Sequence, residues 1–294
     1  MKKLYLIMNP LAGVKKASRH LTRLCCLFAE QGYVSTVCMT RRSGDGARYA
    51  RAAADADLIV CIGGDGTLNE VVAGLLASGQ KTPIGYIPAG STNDFGANLG
   101  LSRDIIRAAR DIMEGSEKIV DAGCFNGRTF CYVASCGVFT RASYAAPQAM
   151  KNTFGHLAYV LEGLREVPNI KPLRLRVETD EAVFEDEYVF CSFSNSTTVA
   201  GLLTLDPELV QLDDGKFELM LIRKPENAIQ LGQIIIALNS GVYHTDLIRF
   251  CSTARAVIWA PDRPDWTLDG EYAEGQENVT LGVQPQAVRL LVKE

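Results

Sequence analysis

Five consecutive apolar residues, Leu58 to Ile62, run straight into Gly63-Gly64-Asp65-Gly66-Thr67, and helical periodicity resumes at once with Leu68, Val71, Val72, Leu75 and Leu76 on one face. A short apolar run closed by glycine reads as a strand covered on both sides, and such strands occur in parallel sheets flanked by helices. The first 120 residues repeat this alternation. Leu4 to Met8, Tyr33 to Met39 and Ile84 to Ile87 read as further strands. Leu21, Leu24, Cys25 and Phe28 mark a helix that stops at Gly32, and Gly46 to Ala54 forms an Ala/Arg-rich helix. Ser102 caps another, with Ile105, Ile106, Ala109 and Met113 inward. The expected fold class for residues 1–120 is α/β, a doubly wound, mostly parallel sheet.

After Glu117 the character changes. Lys118 to Phe125 and Arg128 to Ser135 flank Asn126-Gly127, a strong short-range hairpin signal. Further strands are expected at Leu173 to Thr179, Tyr188 to Ser194, Phe217 to Ile222, Ala254 to Trp259 and Val279 to Val283, with helices near 153–166 and 225–240. Asp213-Asp214-Gly215 reads as a type I′ hairpin turn. A second, β-rich, β-sandwich-like domain is therefore expected over 121–286. Periodicity does not assign Val288 to Val292 to either domain, and a return of 287–294 to the first is left open.

Composition narrows the function. The 294 residues carry net charge −4 with no run of five like charges, so nothing at this level argues for nucleic-acid binding. Nine cysteines are scattered through apolar segments without CxxC spacing, and the three histidines show no i,i+4 pair. Reduced core cysteines are expected, and a zincin-type site is excluded. The apolar run after Lys3 stops at Asn9-Pro10, too short for a signal peptide, and no stretch reaches the length of a membrane span. The expectation is a cytoplasmic protein that meets membranes only peripherally.

The chemistry concentrates in Gly63-Gly64-Asp65-Gly66-Thr67-Leu68-Asn69-Glu70, between a buried strand and a helix. Glycines there let a backbone approach a ligand, and the first amides of the helix favour an anion, which suits phosphate. The plain alternative is a tight turn whose Asp65 caps the helix. Two other polar loops follow strands of the same domain, Asn9-Pro10-Leu11-Ala12-Gly13 and Pro88 to Phe95, and all three would gather on one sheet edge as a nucleotide crevice. Neither a Rossmann fingerprint nor a GxxxxGK[ST] loop is present. Lys15, Lys16 and Arg19 fit a solvated helix face better than a phosphate contact.

These residues resemble the diacylglycerol kinase catalytic-domain family, specifically its small bacterial lipid kinases. The family's NPxxG, GGDGTxNEV and GTxNDF patterns correspond to 9–13, 63–71 and 90–95, and Asp121-Ala122-Gly123, Asp213-Asp214-Gly215 and Leu268-Asp269-Gly270-Glu271 are similar to its second-domain motifs. GGDGT alone is shared with NAD kinases and phosphofructokinases, but Asn69-Glu70 directly after it favours the lipid-kinase branch. The resemblance implies ATP-dependent, Mg²⁺-dependent phosphorylation of a lipid hydroxyl, with the lipid between the domains. It implies nucleotide contacts at Asn9, Pro10, Leu11, Ala12, Gly13, Thr40, Gly63, Gly64, Asp65, Gly66, Thr67, Leu68, Asn69, Ser91 and Asp94. Asp65 and Asp94 would organise the catalytic Mg²⁺, while Gln211, Asp214 and Lys216 would hold a structural one.

For the general base, the choice falls on the Asp269-Gly270-Glu271 pair, with Glu271 favoured and Asp269 essential beside it; which takes the proton stays open. Ser91 replaces the family's threonine and keeps a hydroxyl. Val199-Ala200-Gly201-Leu202-Leu203 replaces a glycine-richer loop, which bears on lipid preference. Trp266 and Tyr272 are core residues or lipid contacts. Alternatives are a sphingoid-base kinase, an NAD kinase or a non-catalytic nucleotide or lipid sensor. The oligomeric state is open, with a homodimer through a β-edge of the second domain among the arrangements.

Overall fold

The computed structural model describes residues 1–13, 17–91, 93–138, 171–199 and 203–293. In chain order the first elements are β1 (Lys2–Met8), α1 (Leu21–Glu30), β2 (Tyr33–Met39), α2 (Asp45–Ala52), β3 (Leu58–Gly63), α3 (Asp65–Ala77), β4 (Ile84–Pro88), α4 (Asp94–Asn98), α5 (Ile105–Glu114) and β5 (Ser116–Phe125). There follow β6 (Arg128–Phe130), β7 (Val133–Gly137), β8 (Leu173–Thr179), β9 (Val183–Ser194), β10 (Thr198–Val199), β11 (Leu203–Thr204), β12 (Phe217–Arg223), α6 (Ala228–Asn239), β13 (Ile248–Thr253), β14 (Arg255–Trp259), β15 (Trp266–Leu268), β16 (Glu271–Ala273) and β17 (Asn278–Val292). The helix expected near 153–166 lies outside the described residues, as do Lys15, Lys16, Thr92 and residues 200–202. Among the described residues no helix is long and apolar enough to cross a membrane.

The chain divides into two compact units, one of residues 1–122, 212–214 and 284–294, the other of 123–211 and 215–283. β5 and β17 each run through both. The buried Asp121 explains two of the returning segments. Its amide donates to the Leu212 carbonyl at 2.7 Å, and its carboxylate accepts the Gln286 amide at 2.6 Å. Gln286 has φ +50, a left-handed break inside β17, so what the alternation presents as two strands is one strand of 15 residues.

In the first unit the sheet order is β2-β1-β3-β4-β17, with every neighbouring pair parallel. Alternation along β1 and β3 sends Leu4, Leu6, Met8, Leu58, Val60 and Ile62 to one face, where they pack with Leu24 and Phe28 of α1 and Ile106, Ala109 and Ile112 of α5. β3 is buried over its whole length, the condition its unbroken apolar run requires. Asp104, not Ser102, caps α5, accepting the Arg107 amide at 2.8 Å; Ser102 instead accepts the Asp104 amide.

The second unit is antiparallel, in the order β16-β15-β7-β9-β8-β14-β17. β9 is long enough to serve several partners: Val183–Tyr188 pairs with β8, Phe190–Ser194 with β7, and β12 joins β9 to β13. Phe125, Phe130, Phe193, Phe217 and Trp266 anchor the core, so Trp266 is structural rather than a surface lipid contact. Asn126 and Gly127, at φ +46 and +86, close β5 onto β6 as a type I′ hairpin. Asp213-Asp214-Gly215 does not form the hairpin that its composition suggests: only Gly215 has positive φ, and among the described residues no strand directly precedes it to pair with β12.

The expected strand Arg128 to Ser135 breaks at Cys131-Tyr132, and the cause is a carboxylate more than a hundred residues away. Asp269 and Gly270 form a second I′ turn between β15 and β16, with φ +50 and +85. The Asp269 side chain, 5% exposed, turns inward to accept the amides of Tyr132 and Val133 at 2.9 and 3.0 Å and that of Cys131. Cys131 and Tyr132 leave the ladder, their amides taken by a charged acceptor. Asp269→Asn puts an amide donor against N–H groups, and the expected loss of stability is about 2 to 4 kcal/mol. Urea unfolding reads this as a lower midpoint at constant slope; an unmoved midpoint would contradict the assignment.

Candidate active site

In the first unit the chain winds outward in one direction from β1 to β2, then in the other from β3 to β4, so β1 and β3 flank the topological switch. Loops leaving the carboxyl ends of such strands diverge, and the space between them is where open α/β sheets bind ligands. The ladder continues one residue past each strand: Asn9 donates to the Ile62 carbonyl at 2.9 Å, Thr40 to Met8 at 2.9 Å and Ala89 to Gly63 at 2.8 Å. Asn9, Thr40, Gly63 and Ala89 therefore leave the sheet side by side.

The loops then pack on one another through glycine. A Cβ on Gly90 would stand 2.6 Å from Gly64 Cα, and one on Gly13 would stand 2.5 Å from the Ala89 carbonyl oxygen. Asn9 folds its own loop, accepting the Leu11 amide at 3.0 Å, and its side-chain amide reaches Thr67 Oγ1 at 3.5 Å. Leu11 projects into solvent and Ser91 is exposed. Leu68 is wholly buried and its amide is bonded to Gly64 O, so its part in any ligand contact is limited to holding the turn.

The N-cap of α3 is Gly64, which has no side chain to cap it, and among the described residues the first turn keeps its positive end directed at the crevice. Asp65 heads this helix but serves another: its Oδ2 accepts the amide of Asp94, the first residue of α4, at 2.9 Å. Its Oδ1 lies 3.3 Å from the Tyr86 hydroxyl, which is also 3.3 Å from the Gly63 carbonyl and 3.5 Å from Asn93 Oδ1. One phenolic proton thus has three acceptors within reach. Asn93, left-handed at φ +56, accepts the Gly90 amide at 2.8 Å and returns a bond to the Gly90 carbonyl at 2.9 Å. Beneath the turn, burial pushes the Cys61 thiol up, and the charges of Glu70 and Asp65 add to the shift.

In the second unit the carboxylates of Asp269 and Glu271 have different surroundings. Asp269 is committed to backbone amides, whereas Glu271, with 45% of its side chain exposed, pairs with Arg128 at 3.0 Å. The turn between them sets one inward and the other outward, so they are not two equivalent candidates for a proton. Gln211, Asp214 and Lys216 are all exposed on the segment before β12. Among the described residues no three His, Cys, Asp or Glu side chains converge as a metal site.

Sequence reasoning placed the three loops but not the residues that lock them. Tyr86 reads as one more apolar strand position, and only alternation, which sets it opposite Ile87, could have singled it out. Glu70 serves in the motif as a family marker, yet it makes long-range bonds described below. Tyr86→Phe removes a buried hydroxyl and its proton from the Gly63, Asp65 and Asn93 acceptors, and the expected cost is about 1 to 2 kcal/mol in unfolding free energy. A variant as stable as the wild type in a denaturant titration would show that the hydroxyl does not hold the loops.

Comparison with known proteins places the chain in a family. Residues 3–125 match the diacylglycerol kinase catalytic domain, and residues 132–292 match the YegS C-terminal NAD kinase beta sandwich-like domain. The chain is 33% identical over 275 residues to a diacylglycerol kinase of Bacillus subtilis (strain 168), covering 92% of this chain and 90% of that protein. To a diacylglycerol kinase of Staphylococcus haemolyticus (strain JCSC1435) it is 35% identical over 272 residues, covering 91% and 81%. The fold is that of a solved diacylglycerol kinase structure from Bacillus anthracis str. Sterne, with TM-score 0.76 and 21% identity, covering 99% and 97% of the two chains. Two domain matches in order, full-length relatives and a shared fold lead to one conclusion: the chain belongs to the diacylglycerol kinase family, phosphotransferases with an alcohol group as acceptor.

Proposed function

We propose that the protein transfers the γ-phosphoryl group of ATP, with Mg²⁺, to the primary hydroxyl of a diacylglycerol-like lipid. The observation that carries this reading is the meeting of three polar loops at the switch point, around an uncapped helix N-terminus. The residues fit the groups they would take. The close approach of Gly64 and Gly90 leaves backbone, not side chain, facing a ligand. Asp65 and Asp94 are hard oxygen donors of the kind Mg²⁺ takes in ones and twos, keeping several waters.

In this reading the first-turn amides of α3 and the 9–13 loop receive the triphosphate, and Thr40 lies on the nucleoside side. Asp65 and Asp94 hold the cation, which when bound neutralises charge on the phosphoryl group in flight. Phosphoryl transfer then asks the protein mainly for positioning and for one proton acceptor. Glu271 is that acceptor: it is the outward carboxylate of its hairpin, and Arg128 orients it. Asp269 fixes the hairpin that presents Glu271. The acceptor is a lipid, so turnover takes place at a membrane surface.

Transfer of γ-labelled phosphate to detergent-dispersed lipids, run alongside NAD, tests the proposal. Label in phosphatidic acid is expected; label in NADP alone would overturn it, and label in a single-chain lipid alcohol would keep the mechanism and change the substrate. Glu271→Gln is expected to lower kcat by about 100-fold or more, the usual worth of a general base, with KM for ATP nearly unchanged. Wild-type turnover in that variant would refute the assignment of the base.

A further inference from the structure

Glu70 belongs to the same helix whose N-terminus faces the crevice, but its carboxylate works elsewhere. It reaches the turn between β2 and α2, where Oε1 accepts the Gly44 amide at 2.7 Å and the Ser43 hydroxyl at 3.1 Å, and Oε2 accepts the Gly46 amide at 2.9 Å. α2 begins at a left-handed Gly44 and has no side-chain cap of its own, so Glu70 takes up amides that an N-cap residue would otherwise serve. A second carboxylate braces the same turn. Asp45 is buried and accepts the amides of Arg41 and Arg42 at 2.8 and 3.2 Å, with an ion pair to Arg48 at 2.9 Å. The Arg41 amide, ahead of the Arg48 contacts, holds the Asp45 carboxyl below the usual range, so the brace stays charged.

The turn's position gives the bracing a purpose. Thr40 is tied to β1 through the Met8 carbonyl, beside the first loop, at the carboxyl end of β2. With phosphates at the N-terminus of α3, the rest of a nucleotide would extend from β3 across the neighbouring loop after β1 toward the turn after β2, the next strand in the sheet. α3 therefore spans both ends of such a ligand: Gly64 to Thr67 at the phosphates, Glu70 at the turn that faces the nucleoside. We propose that Glu70 is a positioning residue that sets the 40–46 turn against the phosphate-binding end of α3, fixing where the donor's nucleoside sits. This rests on the reading of the crevice as an ATP site.

Two variants separate positioning from folding. Glu70→Gln keeps the size of the side chain but turns a donor toward amides that need an acceptor. Gly46→Ala keeps the Glu70 residue but pushes its side chain aside, because the new Cβ would stand 2.8 Å from Oε2 and 2.9 Å from the Cβ of Glu70; alanine's better helix propensity offsets part of that strain, so the two variants break the contact by different routes. Calorimetric titration of the full chain with Mg·ATP and with Mg·tripolyphosphate reads the two ends of the site apart. The expected result in both variants is an ATP affinity lower by about tenfold, the scale of one charge-assisted hydrogen bond, with tripolyphosphate affinity unchanged. Equal ATP affinity in wild type and variants would overturn the proposal, as would parallel loss of both ligands. A wild-type chain that binds neither ligand would instead overturn the ATP reading beneath it.

Discussion

A carboxylate that leaves its own helix uncapped organises the first unit. Asp65 heads α3, where an acidic residue is favoured by the dipole, yet its oxygens go to the amide that begins α4 and to the hydroxyl of Tyr86. Two consequences follow. Hydrogen bonds tie the loop after β3 to the loop after β4, where Asn93 also clasps Gly90. The positive end of α3 remains directed at the crevice, the arrangement that the proposed phosphate site uses. Sheet topology brings the loops to the same edge, and this carboxylate decides what they are able to hold.

The second unit divides its carboxylates in a comparable way. Asp269 is committed to three amides and breaks a strand to obtain them, and the turn it anchors carries its outward counterpart, Glu271. Burial holds Asp269 against the backbone, whereas Glu271 stays half-exposed beside Arg128. A pair two residues apart in sequence thus has two different surroundings.

Much of this was legible beforehand, for local reasons. Leu58 to Ile62 announces a strand buried on both faces, Asn126-Gly127 announces its turn, and the glycine-rich loops follow strands whose carboxyl ends share an edge. What escaped depends on partners far away in the chain. The break at Cys131 is dictated by Asp269, the course of β17 by Asp121, and the turn at 40–46 by Glu70. Asp213-Asp214-Gly215 has hairpin composition, but among the described residues no strand directly precedes it, and Leu212 is bonded to Asp121 instead. β15 and β16 have three residues each, too few to show a period, while β13 alternates Ile248 and Phe250 inward and carried a signal that was open to reading.

The central claim is that the loops at 9–13, 63–67 and 90–94 form a single nucleotide site. Amide hydrogen exchange with and without Mg·ATP tests it most directly, since it reports each loop separately and needs no lipid. Slower exchange is expected in all three segments on adding nucleotide, with the 268–271 hairpin unchanged. Binding of ATP without protection at 63–67 would contradict it.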